Sequence, residues 1–288
     1  MNGMYLIESL PEIKQLSQQL RQAGQTIGFV PTMGALHEGH ISLIKKSLEN
    51  GDIPVCSIFV NPTQFNDIKD FRQYPVTVDQ DILLLEKAGC EALFLPSVNE
   101  IYPDGFENDT HYELGYLGSI LEGAYRPGHF QGVCQVMEKL LKIVMQDHLY
   151  LGQKDYQQCK IITLLIKQMG LHGKIKVEIC PTLREPDGLA MSSRNRRIGQ
   201  EARQNADGIY LALTHIKNHL KPGPVENILN EALEILKQKN FELDDLAVAD
   251  ADSLEILTAY LHGRSLVALT AATYDEVRLI DNMLLNQD

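Results

Sequence analysis

Residues 26–40 read Thr26-Ile-Gly-Phe-Val-Pro-Thr-Met-Gly-Ala-Leu-His-Glu-Gly-His40. The stretch opens on a short apolar run of β type, 26–31, and passes through a glycine-containing turn. Residues 39–48 then place Ile41, Ile44 and Leu48 on one face of a helix. A strand that turns straight into a helix opens a βαβ unit, and this decides the fold class. In open α/β sheets, ligands bind where a strand ends and a helix begins. Free N–H groups and the positive end of the helix dipole face outward there.

The same rhythm continues outward from this stretch. Residues 53–60 (IPVCSIFV) are apolar on both faces, as parallel strands covered by helices are. Segments 78–88, 132–145 and 156–169 read as helices; the second carries Val133, Val136, Met137, Leu140 and Val144 on one stripe. Residues 92–95, 148–151 and 175–179 read as strands. The Pro- and Gly-rich stretch 96–128 has weak periodicity and reads as long loops. After about Arg184 the pattern changes. Two helices, 202–220 and 225–239, are joined at Lys221-Pro-Gly-Pro224, and strands follow at 246–249, 265–272 and 277–280. The expected architecture is α/β. A Rossmann-like parallel-sheet domain spans 1–183, and a smaller α+β lid domain spans 184–288.

Composition bounds the function. The chain has 288 residues, of which 44% are hydrophobic and 22% charged, ordinary for a soluble enzyme. No apolar run approaches the roughly 20 residues that span a bilayer. The N-terminus has no basic n-region followed by an apolar h-region, so a cytoplasmic location is expected. A net charge of -12 argues against general nucleic-acid binding but leaves room for a small anionic ligand at a local positive patch. Five cysteines (Cys56, Cys90, Cys134, Cys159, Cys180) are scattered without metal-ligand spacing and read as reduced, mostly buried thiols.

Four segments carry candidate chemistry. In the first, His37 and His40 flank Gly39, and two imidazoles at a strand-to-helix turn suit phosphate oxygens. The plainer alternative is a pair of surface or core histidines, which the glycine-rich context disfavours. Zinc lacks a third ligand nearby, and no metal site is read. In the second, 59–65, Asn61 and Gln64 offer uncharged donors and acceptors for a substrate with hydroxyls and a carboxylate; an ordinary Asn-Pro turn is equally compatible. In the third, 151–158 (LGQKDYQQ), Lys154 is a mobile point charge for phosphate, and Asp155 either caps a helix or accepts from ribose hydroxyls. A capped helix with a solvated lysine is the alternative. In the fourth, 188–195 (GLAMSSRN), Ser192, Ser193 and Arg194 form a clamp for a triphosphate, or a simple linker.

The His-x-Gly-His element resembles the nucleotidyl-transferring superfamily that includes cytidylyltransferases and class I aminoacyl-tRNA synthetases. The four segments are joined by 96–103 (PSVNEIYP), 125–132 (YRPGHFQG) and 278–282 (RLIDN). Together they are similar, in order and spacing over nearly the whole chain, to the pantothenate synthetase (pantoate–β-alanine ligase) family.

The resemblance implies condensation of (R)-pantoate with β-alanine through a pantoyl adenylate. AMP and pyrophosphate are released, and the product is a precursor of coenzyme A. It implies that Met33, Gly34, Ala35, Leu36, His37, Glu38, Gly39 and His40 hold ATP, with His40 the catalytic proton donor. Gly152, Gln153, Lys154 and Asp155 would hold the nucleotide, with Lys154 on the phosphates. Leu183 would meet the adenine, and Met191, Ser192, Ser193 and Arg194 would close over the phosphates. Gln64 and Gln158 would bind pantoate, Asn61 would line that pocket, and Arg126 and His129 would stand at its rim. His37, His40, Lys154 and Arg194 are the expected stabilisers of the reacting phosphate. A homodimer is implied too. Two positions depart from the family pattern: Gln153 stands where glutamate is frequent, and Gln80 interrupts an acidic run. The latter weakens a carboxylate site for magnesium, so Mg2+ is expected on the ATP phosphates. The competing enzyme class is a nucleotidyltransferase that keeps the nucleotide in its product. The paired glutamines and the full set of segments favour the ligase, as they do over a nucleotide-sensing module.

Overall fold

Alternate residues of the central strands are apolar on both sides because helices cover both faces of the sheet. The computed structural model describes residues 3–106 and 110–285. In chain order the first part runs β1 (Tyr5–Ile7), α1 (Leu10–Gln22), β2 (Ile27–Thr32), α2 (Glu38–Glu49), β3 (Ile53–Ile58), α3 (Ile68–Arg72), α4 (Val78–Ala88), β4 (Ala92–Phe94), α5 (Val98–Ile101), α6 (Glu122–Tyr125), α7 (His129–Val144), β5 (His148–Gly152), α8 (Tyr156–Gln168) and β6 (Lys176–Cys180). The six strands form one parallel sheet in the order β1-β4-β3-β2-β5-β6. Phe29, Val55 and Leu149 face a core shared with α1, α7 and α8, while their neighbours Val30, Cys56 and Tyr150 face a core shared with α2 and α4.

The remainder runs α9 (Gly208–His219), β7 (Gly223–Pro224), α10 (Glu226–Gln238), β8 (Glu242–Asp250), β9 (Ala259–Tyr260), β10 (Leu266–Tyr274) and β11 (Val277–Leu284). Its antiparallel sheet has the order β11-β10-β8 and packs against α9 and α10 through Ile209, Leu213, Ile216, Ala232, Leu236 and Val248. This is the α/β fold with a smaller α+β part that the residue pattern implied. By compactness the chain divides into Met1–Gly152 with Gln158–Pro181, and Gln153–Gln157 with Thr182–Asp288. The second unit thus takes five residues from between β5 and the body of α8.

Several expectations need correction. β1 and α1 precede the stretch 26–40 without a clear periodic signal, so the His-x-Gly-His turn follows the second strand of the chain. The α1 signals are local: Ser9 precedes the helix and donates to Glu12 (2.8 Å), Pro11 sits in the first turn, and Ile13, Ser17 and Leu20 are buried on one face. The stretch 96–128 is not all loop. It contains α5, α6 and a 3-10 turn at Gly115–Gly118, each too short to show a period; residues 107–109 lie outside the described ones. The helix expected from 202 begins at Gly208, after a separate 3-10 turn at Ala202–Asn205. The Lys221-Pro-Gly-Pro224 joint includes the short strand β7, which pairs with β9.

All five cysteines are buried, and the described residues contain no disulfide. Burial pushes the Cys90 and Cys134 thiols up to about 12 and Cys180 to about 11, so these three are not ready nucleophiles. No described helix is long and apolar enough to cross a membrane.

At the amino ends of β2, β3 and β5, the buried Asp52 carboxylate accepts from Thr26 Oγ1 (2.8 Å), His148 Nδ1 (2.6 Å) and the Tyr150 hydroxyl (2.5 Å). Asn50 Nδ2 donates to that same hydroxyl at 2.9 Å, which brings in the chain just after α2. Burial and Asp52 together hold the Tyr150 phenol well above its ordinary pKa, so it remains a donor. Asp52→Ala leaves three donors without their acceptor and is expected to cost roughly 3–5 kcal/mol. An unchanged midpoint in urea unfolding would show that the network contributes nothing.

Candidate functional site

The sheet is split at its carboxyl edge. β2 and β5 pair only at Gly28–His148 and Phe29–Leu149. Beyond that, β2 goes on pairing with β3 to Thr32, and β5 with β6 to Gly152. The strand order also reverses direction between β2 and β5, which makes this the switch point where α/β sheets hold ligands. Met33–His40 follows β2, and Gly152 ends β5.

The turn after β2 is held from within. Gly34 (φ 82°) and Ala35 (φ 49°) are both left-handed. The buried Asp81 of α4 accepts from the N–H groups of Ala35 (2.9 Å) and Leu36 (2.8 Å) and from Thr77 Oγ1 (3.1 Å). That carboxylate secures a non-glycine residue in a conformation that costs about 1 kcal/mol or more. His37 then caps α2: its Nδ1 accepts from Gly39 N–H (3.2 Å), while His40 Nδ1 accepts from His37 N–H (3.3 Å). The two rings lie 4.0 Å apart, tilted by 40°. Since each Nδ1 accepts, each ring in its neutral form carries its proton on Nε2.

This corrects the expectation of free N–H groups at the start of α2. The N–H of Gly34 donates to Thr32 Oγ1, those of Ala35 and Leu36 to Asp81, that of His37 to His40, and that of Gly39 to His37. Five amides of this turn are thus committed within the protein. Glu38 is exposed and pairs with Lys45 at 3.7 Å.

After β3, Asn61 begins a 3-10 turn, Pro62–Gln64. Asn61 is 1% exposed. Its Nδ2 donates to Gln64 Oε1 (3.2 Å) and to the Gly132 carbonyl (3.0 Å), and its Oδ1 accepts from the Tyr102 hydroxyl (2.9 Å) and Thr63 Oγ1 (3.1 Å). Those bonds orient Gln64, whose Nε2 reaches Met33 Sδ at 3.0 Å. The polar turn after β3 and the histidine turn after β2 are thereby joined. α7 lies against this turn at Gly132, where a Cβ would come within 2.3 Å of the Thr63 carbonyl. Arg126 Nη1 sits 3.3 Å from His129 Nε2, and His129 Nδ1 sits 2.8 Å from the Gln64 carbonyl. A guanidinium only donates, so the imidazole accepts at Nε2 and donates from Nδ1. Gln158 is half-buried in α8.

In the second unit, Gln153, Lys154 and Asp155 form a 3-10 turn, with Lys154 Nζ 3.8 Å from Asp155. Leu183 and Met191 are brought together because Met191 N–H donates to the Leu183 carbonyl at 3.0 Å, beside a bridge between Arg184 and Ala190. Ser192 Oγ accepts from Arg194 N–H (3.3 Å), which starts the 3-10 turn Ser193–Arg197. Asp81, Tyr102 and Asn282 are braces that sequence reasoning did not single out. The first two lie in segments quoted for other reasons, and the third closes the Arg278–Asn282 segment.

A split parallel sheet with a two-histidine helix cap at its switch point places the chain among α/β nucleotide-binding enzymes of the His-x-Gly-His type. A model of the family described as Pantoate-beta-alanine ligase matches residues 5–284. A pantothenate synthetase of Fervidobacterium nodosum is 41% identical over 98% of this chain and 100% of its own length. That of Phocaeicola vulgatus is 42% identical over 97% and 99%. Among solved structures, the Thermus thermophilus pantothenate synthetase superposes with a TM-score of 0.89 at 36% identity, covering 99% of this chain and 100% of that one. The Francisella tularensis pantoate-beta-alanine ligase, solved with beta-gamma ATP and beta-alanine, gives 0.82 at 37% identity over 99% of both chains. The chain belongs to the pantoate-beta-alanine ligase family.

Removal of the Asp81 carboxylate leaves two buried N–H groups without an acceptor. Asp81→Ala is expected to lower stability by roughly 2–4 kcal/mol and to speed amide exchange at Ala35 and Leu36. Exchange at wild-type rates would mean that the turn holds its shape without the brace.

Proposed function

We propose that this chain condenses pantoate with β-alanine at the expense of ATP, through a pantoyl adenylate. The observation that carries the reading is the joining, by Gln64 and Met33, of a polar acyl-binding turn to a two-histidine phosphate turn on adjacent strand ends. A carboxylate is a poor electrophile and needs a leaving group before an amine can displace oxygen. Gln64 and Gln158 orient pantoate so that a carboxylate oxygen attacks the α-phosphorus of ATP, and the bond to pyrophosphate breaks. Negative charge grows on the phosphoryl oxygens, where the Nε2–H donors of His37 and His40 and the cations of Lys154 and Arg194 stabilise it. The amine nitrogen of β-alanine then attacks the acyl carbon, AMP leaves with the electron pair of the broken C–O bond, and the nitrogen gives up a proton. Asn61 serves this chemistry by setting the direction of Gln64, since its own amide is committed within the protein.

With Nδ1 accepting from the backbone, His37 and His40 serve the phosphate as hydrogen-bond donors through Nε2. That is the role this geometry favours for His40 over full proton transfer. Gly152, Gln153 and Asp155 carry Lys154 and meet the nucleoside, Leu183 meets the adenine, and Met191, Ser192 and Ser193 present Arg194. Mg2+ accompanies ATP through phosphate oxygens and water. The Asp81 carboxylate of the Gln80 run is spent on the backbone groups of Ala35 and Leu36.

The test is single-turnover release of pyrophosphate from ATP and pantoate without β-alanine. His40→Ala and Lys154→Ala are each expected to slow it by roughly 10²–10³ while melting close to wild type. Gln158→Ala is expected to raise KM for pantoate and leave ATP binding nearly unchanged. AMP released without pantoate or without β-alanine in multiple turnover, or a nucleotide retained in the product, would refute the ligase reading.

We further propose a homodimer built on the first unit, where the edge strand β1 leaves Tyr5 and Leu6 about half exposed. Light scattering is expected to give twice the chain mass of 32.4 kDa, and a single chain mass at micromolar concentration would refute it.

A further inference from the structure

One side chain at the end of the Arg278–Asn282 segment has all its hydrogen-bonding capacity directed at the Lys154 turn. Asn282 lies on β11 and is 1% exposed. Its Nδ2 divides its two hydrogens between the carbonyl of Gln153 (2.8 Å) and that of Lys154 (2.9 Å), and its Oδ1 accepts from Gln153 Nε2 at 3.2 Å. These residues are 128 and 129 positions away in sequence.

Asn282 is itself fixed. Its N–H donates to Asp281 Oδ1 at 2.7 Å, and its carbonyl accepts from Arg184 Nη2 at 3.2 Å. Arg184 grips Asp281 through both amino groups, at 2.5 and 3.1 Å, and its guanidinium lies over the Tyr210 ring. Burial pushes the Asp281 carboxyl up, against the pull of Arg184, which keeps the pair in place. The chain Arg184–Asp281–Asn282 therefore ends on two backbone carbonyls of a phosphate-facing turn.

We infer that Asn282 is a positioning residue for Lys154, setting where its ammonium meets the reacting phosphate; this rests on the proposed adenylation chemistry. The ammonium is a point charge on a flexible four-carbon stem, so nothing in the side chain fixes its direction. What can be fixed is the backbone from which it springs, and Asn282 holds the carbonyls on either side of the Lys154 Cα. A shift of about 1 Å in such a group costs up to roughly 10²-fold in rate. Aspartate at 282 would set an oxygen against both carbonyls.

The test is a double-mutant cycle on single-turnover pyrophosphate release, with melting temperature recorded for each variant. Asn282→Ala is expected to slow the step by about 10-fold or more in the wild-type background, and by less than about 2-fold in the Lys154→Ala background, since residues acting through one another are not additive. Asn282→Ser, which keeps one donor, is expected to fall between and carries the same cycle if the alanine variant does not fold. An equal fold-loss in both backgrounds would show a general structural role and overturn the inference. A Lys154→Ala variant with normal pyrophosphate release would overturn the assigned role of Lys154 first, and the inference with it.

Discussion

Hydrogen bonds that converge on the Asp52 carboxylate hold together the amino ends of β2, β3 and β5. The opposite ends of β2 and β5 part after two residue pairs. The two facts are complementary. A parallel sheet that opens at one edge exposes strand ends whose backbone groups need partners, and it tends to unzip further. A charge-assisted network at the closed edge sets a limit to the opening. It sits on a buried tyrosine, behind a glycine at position 28 whose Cβ would strike Ser47 and Tyr150. The crevice at the carboxyl edge exists because the amino edge cannot follow it.

Buried carboxylates recur as braces. Asp52 ties strands, Asp81 ties the histidine turn, and Asp281 ties Arg184 to the strand that carries Asn282. A buried carboxylate is expensive unless hydrogen-bonded, and each of these is fully engaged. The trade yields rigidity beside the candidate site residues, each held in one orientation. The rings of His37 and His40 are set by backbone N–H groups at Nδ1, and Gln64 points as it does because Asn61 has no spare donor to move with. The candidate site residues are thus the outer ends of networks rooted in the interior.

Much of this was legible in the residue order, and the reason is locality. The β2 to α2 turn, the 78–88 helix and the paired apolar faces of β3 all rest on signals within a dozen residues. β1 is only three residues long, and most of α1 is polar, so neither shows a strong period. The histidines, Asn61, Gln64 and Lys154 stand in recognisable strand-to-helix contexts. Their supports do not. Asp81 acts on an amide 45 residues away, Tyr102 on an amide 41 away, and Asn282 on carbonyls 128 and 129 away. A pattern read along the chain has no access to such pairs, since only the fold makes them neighbours. The internal use of the amides at the start of α2 escaped for the same reason.

The assignment of Gln153–Gln157 to the second unit has a consequence for how the molecule could be taken apart. Conventional dissection cuts once, in this case after Pro181, and expects two pieces that each keep their interior. A leading fragment would carry those five residues as a flap stripped of the amide that clamps it. The trailing fragment would keep Asn282 with its donors and acceptor aimed at nothing. A circular permutant opened elsewhere, or a construction that grafts the five residues back by a short tether, would respect the true seam. The chain is two compact units but four segments in order. A family of this kind is accordingly expected to be inherited and shuffled whole, not assembled from interchangeable halves.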